Sequence, residues 1–460
     1  LEFLEFRLVA EALAEREVLL RMMPHIAHPM RFVMPLDEKM RFDTETPVSR
    51  MAKWVMPWSA GHRPDIMIRA GLFLYDHIGK RKFLPPTKKL DLRRAPEGRP
   101  IRTDITKAFE YSDVWVNDAR LVALNARDAA ERGASILTQT RVTDARRDGD
   151  LWRVTTTQGV FHARAFVNAG GPWVADVIHD VTHLPTRERI RLVRGSHIVT
   201  RKLFDHDKAY FFQGPDGRII FSIPYENDFT LIGTTDVDHS GPPGAAECSP
   251  EEQAYLCKFA NRYFRQAIAP ADVVWTFSGV RPLYDDGASS ATAATRDYVL
   301  SMDTNGPACL NVFGGKITTY RRLAESAMDK LSQAFPDMGP AWTAGAPLPG
   351  GDFPVAGVPN LIADLRAAYP FLTQDWATRL IRAYGTDAAK MLGEARQPGD
   401  LGRDFGATLT EVEIDWLTTH EFARTAQDIL WRRSKLGLHI TPAERDDVTA
   451  WMEEKGRRDG

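Results

Sequence analysis

The chain has 460 residues, 43% of them hydrophobic and 26% charged, with 33 glycines and 29 prolines. Length and composition exclude a disordered tract, a collagen-like repeat and a small disulfide scaffold, and they predict roughly two to four globular domains. A net charge of −2 excludes whole-protein attraction to nucleic acid or acidic lipid, so any anion site must be local.

The three cysteines, Cys248, Cys257 and Cys309, form no Cys-x-x-Cys pair. That argues against structural zinc or an iron–sulfur cluster and for a reduced, cytoplasmic setting. Apolar runs fall short of the ~20 residues a spanning helix needs, which leaves surface attachment open. The sequence opens Leu-Glu-Phe without an initiator Met, so its true start is expected to lie upstream.

Apolar residues at helical spacing (Phe6, Val9, Leu13, Leu20) predict an amphipathic helix over Phe3–Met23, stopped by Pro24. Residues 32–63 read as irregular, punctuated by Pro35, Pro47, Pro57, Gly61 and Pro64. Within them Met51–Trp58 carries two Trp and three Met around Lys53. It reads either as a loop folded over the core or as an interfacial patch with basic flanks. A helix is predicted over residues 66–78 and a basic linker over 85–100.

The pattern then becomes α/β: a strand at 113–116, a helix at 118–132, a strand at 135–142, and a hairpin from 151–157 and 160–167. A helix is expected at 173–179. Four strand-like runs, 189–201, 208–213, 219–225 and 229–235, predict an antiparallel sheet. A helix at 250–264, strands at 273–280, 298–301 and 309–313, and a helix at 318–335 follow. Beyond about residue 350 every strong period is helical.

Two strand-to-helix turns carry glycines: Asn168-Ala169-Gly170-Gly171-Pro172-Trp173 and Gly314-Gly315-Lys316-Ile317-Thr318-Thr319. Glycines let backbone approach a ligand, and a helix start offers free N–H groups to a phosphate. Either turn alone reads as ordinary structure, but two can flank one extended cofactor. Arg281 and Arg296 fall at strand edges, and two guanidinium forks near a Gly-Gly-Lys turn suit a phosphate dianion. His197, on an apolar strand, is either a core histidine or a proton acceptor.

Taken together, NAGGPW, RGSHIV, IGTTDVD, SGVRPL, TRDY and FGGKITTYR, in this order, resemble the FAD-dependent glycerol-3-phosphate dehydrogenase family of respiratory metabolism. The resemblance runs from residues 2–17 through 69–79, 109–121 and 340–342 to 423–437. It implies an α/β (α+β) fold: a Rossmann-like FAD-binding domain of the glucose/amino-acid oxidase type over 1–185 and 270–335, an antiparallel-sheet substrate domain over 186–269, and a helical C-terminal domain over 350–460.

The activity so implied is oxidation of sn-glycerol 3-phosphate to dihydroxyacetone phosphate, with electrons passed through FAD to a membrane quinone such as ubiquinone. Arg281 and Arg296 would hold the substrate phosphate, and His197 and Lys316 would be the catalytic candidates. Asn168, Ala169, Gly170, Gly171, Trp173, Gly279, Gly314, Gly315, Thr318 and Thr319 would line FAD, with Arg141 or Val142 at its adenine half. No metal is implied. The expected location is the inner face of the cytoplasmic membrane, attached peripherally, with the Met51–Trp58 patch as the candidate contact. The family's opening strand, Gly-x-Gly-x-x-Gly turn and His-Gly-Gly-Leu-Arg-Tyr segment are not in this sequence, so its own hold on FAD is expected to be weakened.

Alternatives are an oxidase that passes electrons to oxygen, an amino-acid or amine oxidase, and an inactive remnant or interaction protein. Glu421, Asp428, Arg432, Arg433 and Lys435 are expected to form a solvated helix face, with a homodimer or partner surface as the other reading.

Overall fold

The structure is a computed structural model and describes residues 6–37, 65–78, 83–214, 217–285 and 297–459. The Met51–Trp58 patch and Arg296 lie outside the described residues. Two compact units are present, one made of 1–15, 30–113 and 139–341, the other of 16–29, 114–138 and 342–460.

The first unit is built on strands β1 (Ala27–Leu36), β2 (Lys88–Asp91), β3 (Lys107–Val116), β4 (Val142–Asp148), β5 (Leu151–Thr156), β6 (Gly159–Ala163), β7 (Ala165–Asn168), β8 (Ile190–Arg201), β9 (Ala209–Gln213), β10 (Ile219–Tyr225), β11 (Phe229–Gly233), β12 (Val237–Asp238), β13 (Val273–Tyr284), β14 (Tyr298–Asp303) and β15 (Ala308–Gly314). The largest sheet has nine strands, in the order β12-β8-β11-β10-β9-β1-β3-β2, with β13 paired to the β8 strand as well. Two three-stranded sheets, β14-β15-β7 and β4-β5-β6, complete the unit.

Period-2 alternation sorts the large sheet into two faces. Ile198, Tyr210, Phe212, Ile220 and Ile232 turn to one face and pack with Leu256, Phe259 and Ala260 of the helix Pro250–Ala260. Each such burial contributes roughly 1.5–3 kcal/mol. Gly195, His197, Gly233 and Phe277 turn to the other face, since Gly233 and Phe277 pair with His197 in register.

Several elements differ from expectation. The segment read as irregular begins with the second half of β1, whose Phe32 and Val33 pair in parallel with Ala209 and Tyr210 of the β9 strand. Pro29 and Pro35 lie outside the two residues paired with β9. The stretch read as a basic linker holds β2, and the four-run sheet extends to β1, β2, β3 and β13. No strand occupies 135–141. The ladder begins at Val142 opposite Thr156, the last residue of the partner strand, and Arg141 exchanges bonds with Thr157 just past it. Residues 171–182 wind through short turns of three kinds rather than one helix.

The second unit is helical: Val358–Ala368, Gln374–Tyr384, Asp387–Leu392, Glu411–His420 and Pro442–Asp459 enclose a core that includes Leu380, Ile381, Ile414 and Leu417. The expected solvated face is not formed. Glu421 is fully buried and paired with Arg120, Lys435 is buried and donates to Asn117 Oδ1 at 3.0 Å, and Arg433 donates to the Glu421 carbonyl. Asp428 accepts from the Arg424 and Thr425 backbone, so only Arg432 of the five stands exposed. Helical spacing cannot distinguish a polar face in water from one satisfied inside the fold.

Candidate active site

The two glycine turns leave neighbouring strands at the same end. β7 and β15 run parallel, with Asn168 opposite Asn311. Asn168 is buried and holds the first turn: its Oδ1 accepts from Gly170 N at 3.2 Å, while Nδ2 donates to Val174 O and to Asn311 Oδ1, both at 3.0 Å. Gly171, at φ +55°, follows; the second turn has Gly314 at φ +71° and Gly315 at φ +109°, conformations that favour glycine. A side-chain carbon on Gly314 would also stand 2.9 Å from Asp297 O.

Beside these turns Trp173 and Ile317 expose apolar surface. Ala169 and Thr318 are exposed, whereas Thr319 is buried. Bare backbone from two turns at the carboxyl ends of parallel strands, with exposed apolar side chains next to it, fits an extended dinucleotide such as FAD.

A second constellation lies on β8, β11 and β13. Gly195 faces Gly279 across the β8–β13 ladder, and Gly279 has open space above it. The Arg281 guanidinium folds over Gly195, donating from Nη1 to Asp236 Oδ1 and from Nη2 to Thr234 Oγ1 at 3.1 Å. It remains about one-third exposed, with further N–H donors to offer a ligand. His197 stacks on Phe277, ring centroids 4.8 Å apart and planes 10° apart, and sits against Gly233.

β13 joins the two constellations. It contacts the Gly171–Trp173 turn, and Gly314 lies beside Pro282 and Tyr284 of the same strand. Tyr284 is three residues beyond Arg281, roughly 10 Å along a strand. Among the expected residues, Asn168, Gly170, Gly171, Trp173, Gly314, Gly315 and Lys316 therefore cluster at one sheet end, with Arg281, His197 and Gly279 on the adjoining strand face. Arg141 and Val142 lie elsewhere, at the start of the β4-β5-β6 sheet.

Sequence reasoning assigned no role to Gly195, Gly233, Thr234, Asp236 or Phe277. A usable signal was present: residues 195 and 197, like 277, 279 and 281, share a strand face by period 2.

The chain matches the FAD dependent oxidoreductase family over residues 2–321 and the C-terminal domain of alpha-glycerophosphate oxidase over 341–454. It is 47% identical to the D-erythritol 1-phosphate dehydrogenase of Brucella abortus, covering 98% of this chain and 87% of that protein. It is 46% identical to a glycerol-3-phosphate dehydrogenase of Pseudomonas aeruginosa, covering 96% of this chain and 83% of the relative. A solved structure with the same fold is the glycerol-3-phosphate dehydrogenase from Bacillus halodurans complexed with FAD: TM-score 0.73 and 22% identity, over 96% of this chain and 80% of that one.

Proposed function

The chain belongs to the FAD dependent oxidoreductase family, and from that premise we propose that it oxidises the secondary hydroxyl of a small polyol monophosphate, sn-glycerol 3-phosphate first, to the ketone. The observation that carries this reading is β13, which bears Arg281 over Gly195 and then passes beside Gly314. An oxyanion handle and a dinucleotide turn are thereby set a few residues apart. FAD, when bound, supplies the two-electron acceptor. Asn168, Ala169, Gly170, Gly171, Trp173, Gly314, Gly315, Thr318 and Thr319 would hold it, with Gly279 clearing space at the substrate side and Arg141 or Val142 at the adenine half.

Arg281 binds the substrate phosphate, and Arg296 adds a second guanidinium. Lys316 and His197 are the candidates to take the hydroxyl proton as the carbinol C–H bond breaks. The product of glycerol 3-phosphate is dihydroxyacetone phosphate.

Electrons leave for a membrane quinone at the inner face of the cytoplasmic membrane. Support for a surface contact comes from the helix Asp65–Ile78, which exposes Phe73 and Leu74 together with Arg69. No described helix is long and apolar enough to cross a membrane.

A second substrate reading, D-erythritol 1-phosphate, is favoured by the 47% identical relative. Both share the phosphate handle and differ by one carbinol unit. Anaerobic bleaching of flavin absorbance in the FAD-loaded chain tests the reading with sn-glycerol 3-phosphate, D-erythritol 1-phosphate and sarcosine in parallel. Bleaching by either phosphate supports it and ranks the two; bleaching by sarcosine alone overturns it. Rapid peroxide release in air would replace the quinone by oxygen as acceptor.

A further inference from the structure

The strand face that carries Arg281 has a reverse side, and one carboxylate gathers it. Glu252, in the first turn of the helix Pro250–Ala260, accepts from Ser196 Oγ at 2.9 Å and Thr235 Oγ1 at 2.7 Å. Its other oxygen accepts from the Ser249 backbone N–H and faces Arg194 Nη2, both at 3.0 Å. Ser278 Oγ bonds to Ser196 Oγ at 2.8 Å, and Ser196 N donates to Thr235 Oγ1 at 2.9 Å. Ser196, Thr235 and Glu252 are all buried.

Each hydroxyl belongs to a residue lying between two members of the site. Ser196 separates Gly195 from His197, Ser278 separates Phe277 from Gly279, and Thr235 separates Thr234 from Asp236, the two partners of Arg281. A capping box accounts for the Ser249–Glu252 exchange. It does not account for hydroxyls from two further chain segments meeting on one carboxylate oxygen, with a third, Ser278, joined to it through Ser196. A buried carboxylate is retained only if its lone pairs are filled, and these donors fill them. Burial would raise its pKa; the Ser249 N–H, the two hydroxyls and Arg194 outweigh that and hold it below the ordinary value.

We infer that Glu252 is a positioning residue for the phosphate site: through Ser196 and Thr235, and through Ser196 to Ser278, it fixes the backbone segments that carry Gly195, Thr234, Asp236 and Arg281. The inference rests on the polyol-phosphate reading above. Glu252 touches neither substrate nor cofactor, so it acts on where the cationic handle stands rather than on bond breaking.

The test uses the whole chain loaded with FAD, measuring Kd for sn-glycerol 3-phosphate by calorimetry together with KM and kcat. Glu252→Gln and Thr235→Val are expected to raise Kd and KM about tenfold while kcat at saturation stays within about threefold. Thr235→Ser, which keeps the hydroxyl, is expected to restore Kd, and Glu251→Gln, on the exposed side of the same helix, to leave it unchanged. Should Glu252→Gln fail to fold, the Thr235→Val and Thr235→Ser pair decides alone. Unchanged Kd in Thr235→Val, or equal loss in Thr235→Ser, overturns the inference while the functional reading stands. A wild-type chain that binds neither sn-glycerol 3-phosphate nor D-erythritol 1-phosphate overturns both.

Discussion

A side-chain carbon on Gly195 would stand 2.5 Å from Nη2 of Arg281, so the guanidinium occupies space that only a glycine leaves. The same carbon would lie 2.6 Å from Thr234 Oγ1. Both atoms are the ends of side chains, which can move at little cost to the sheet. Gly195→Ala is therefore expected to dislodge the guanidinium from Asp236 and Thr234 and leave the fold intact. Substrate KM should rise about tenfold, with a melting shift of no more than about 3 °C. An unchanged KM would show that Arg281 is not the phosphate handle.

At Gly233 the same substitution has the opposite signature. A carbon there would meet His197 at 2.7 Å from Cγ and 2.8 Å from Nε2, and Phe277 stacks on the histidine ring. The ring root cannot swing away as a guanidinium can. Gly233→Ala is expected to destabilise the chain by about 1–3 kcal/mol through overpacking, read as a lower denaturant midpoint. Wild-type stability would mean that the ring has somewhere to retreat.

These two glycines show what sequence could and could not supply. Strands at 219–225, the β8 run and both glycine turns were legible, because alternation and Gly-Gly punctuation are local signals. The resemblance assigned Arg281 to the substrate phosphate and His197 to proton transfer, and those roles stand as proposals. What failed was partnership. Gly195 and Gly233 look like ordinary strand glycines until β13 and β11 are laid against β8, and Glu252 looks like a helix cap until the Ser196 and Thr235 hydroxyls meet on it. β1 was lost because Pro35 and the prolines after it outweighed the Phe32–Val33 core of a strand whose parallel partner lies far along the chain.

Partnership also decides the second unit. Arg120 and Glu421 are both fully buried, and Arg120 donates from Nη2 to Glu421 Oε1 at 2.8 Å and to Ala383 O at the same distance. Removing one member strands the other charge without water. Glu421→Ala is expected to cost about 3–5 kcal/mol, whereas the double replacement Arg120→Met, Glu421→Leu recovers most of that loss. Urea unfolding of the two variants checks both statements. A single variant as stable as the parent would mean that water reaches the pair.

The same unit predicts an acid sensitivity with a definite sign. His25 is almost fully buried and its pKa is lowered to about 3, first by burial and then by Arg120, Arg382 and Arg127. His28 is lowered to about 4, by burial and then by Arg382. In the unfolded chain both titrate near 6.5, so below that pH the unfolded form takes up protons that the folded form refuses. Stability is therefore complete above pH 6.5 and falls as pH drops toward 4. For His25 the loss by pH 4 is on the order of 3 kcal/mol. Urea midpoints measured at pH 7, 6, 5 and 4.5 should decline steadily for the parent chain. His25→Gln, which does not titrate, should begin lower at pH 7 but decline less steeply. If the two slopes were equal, His25 would be protonated inside the fold, and the cationic surroundings of Arg120, Arg127 and Arg382 would need another anion to balance them.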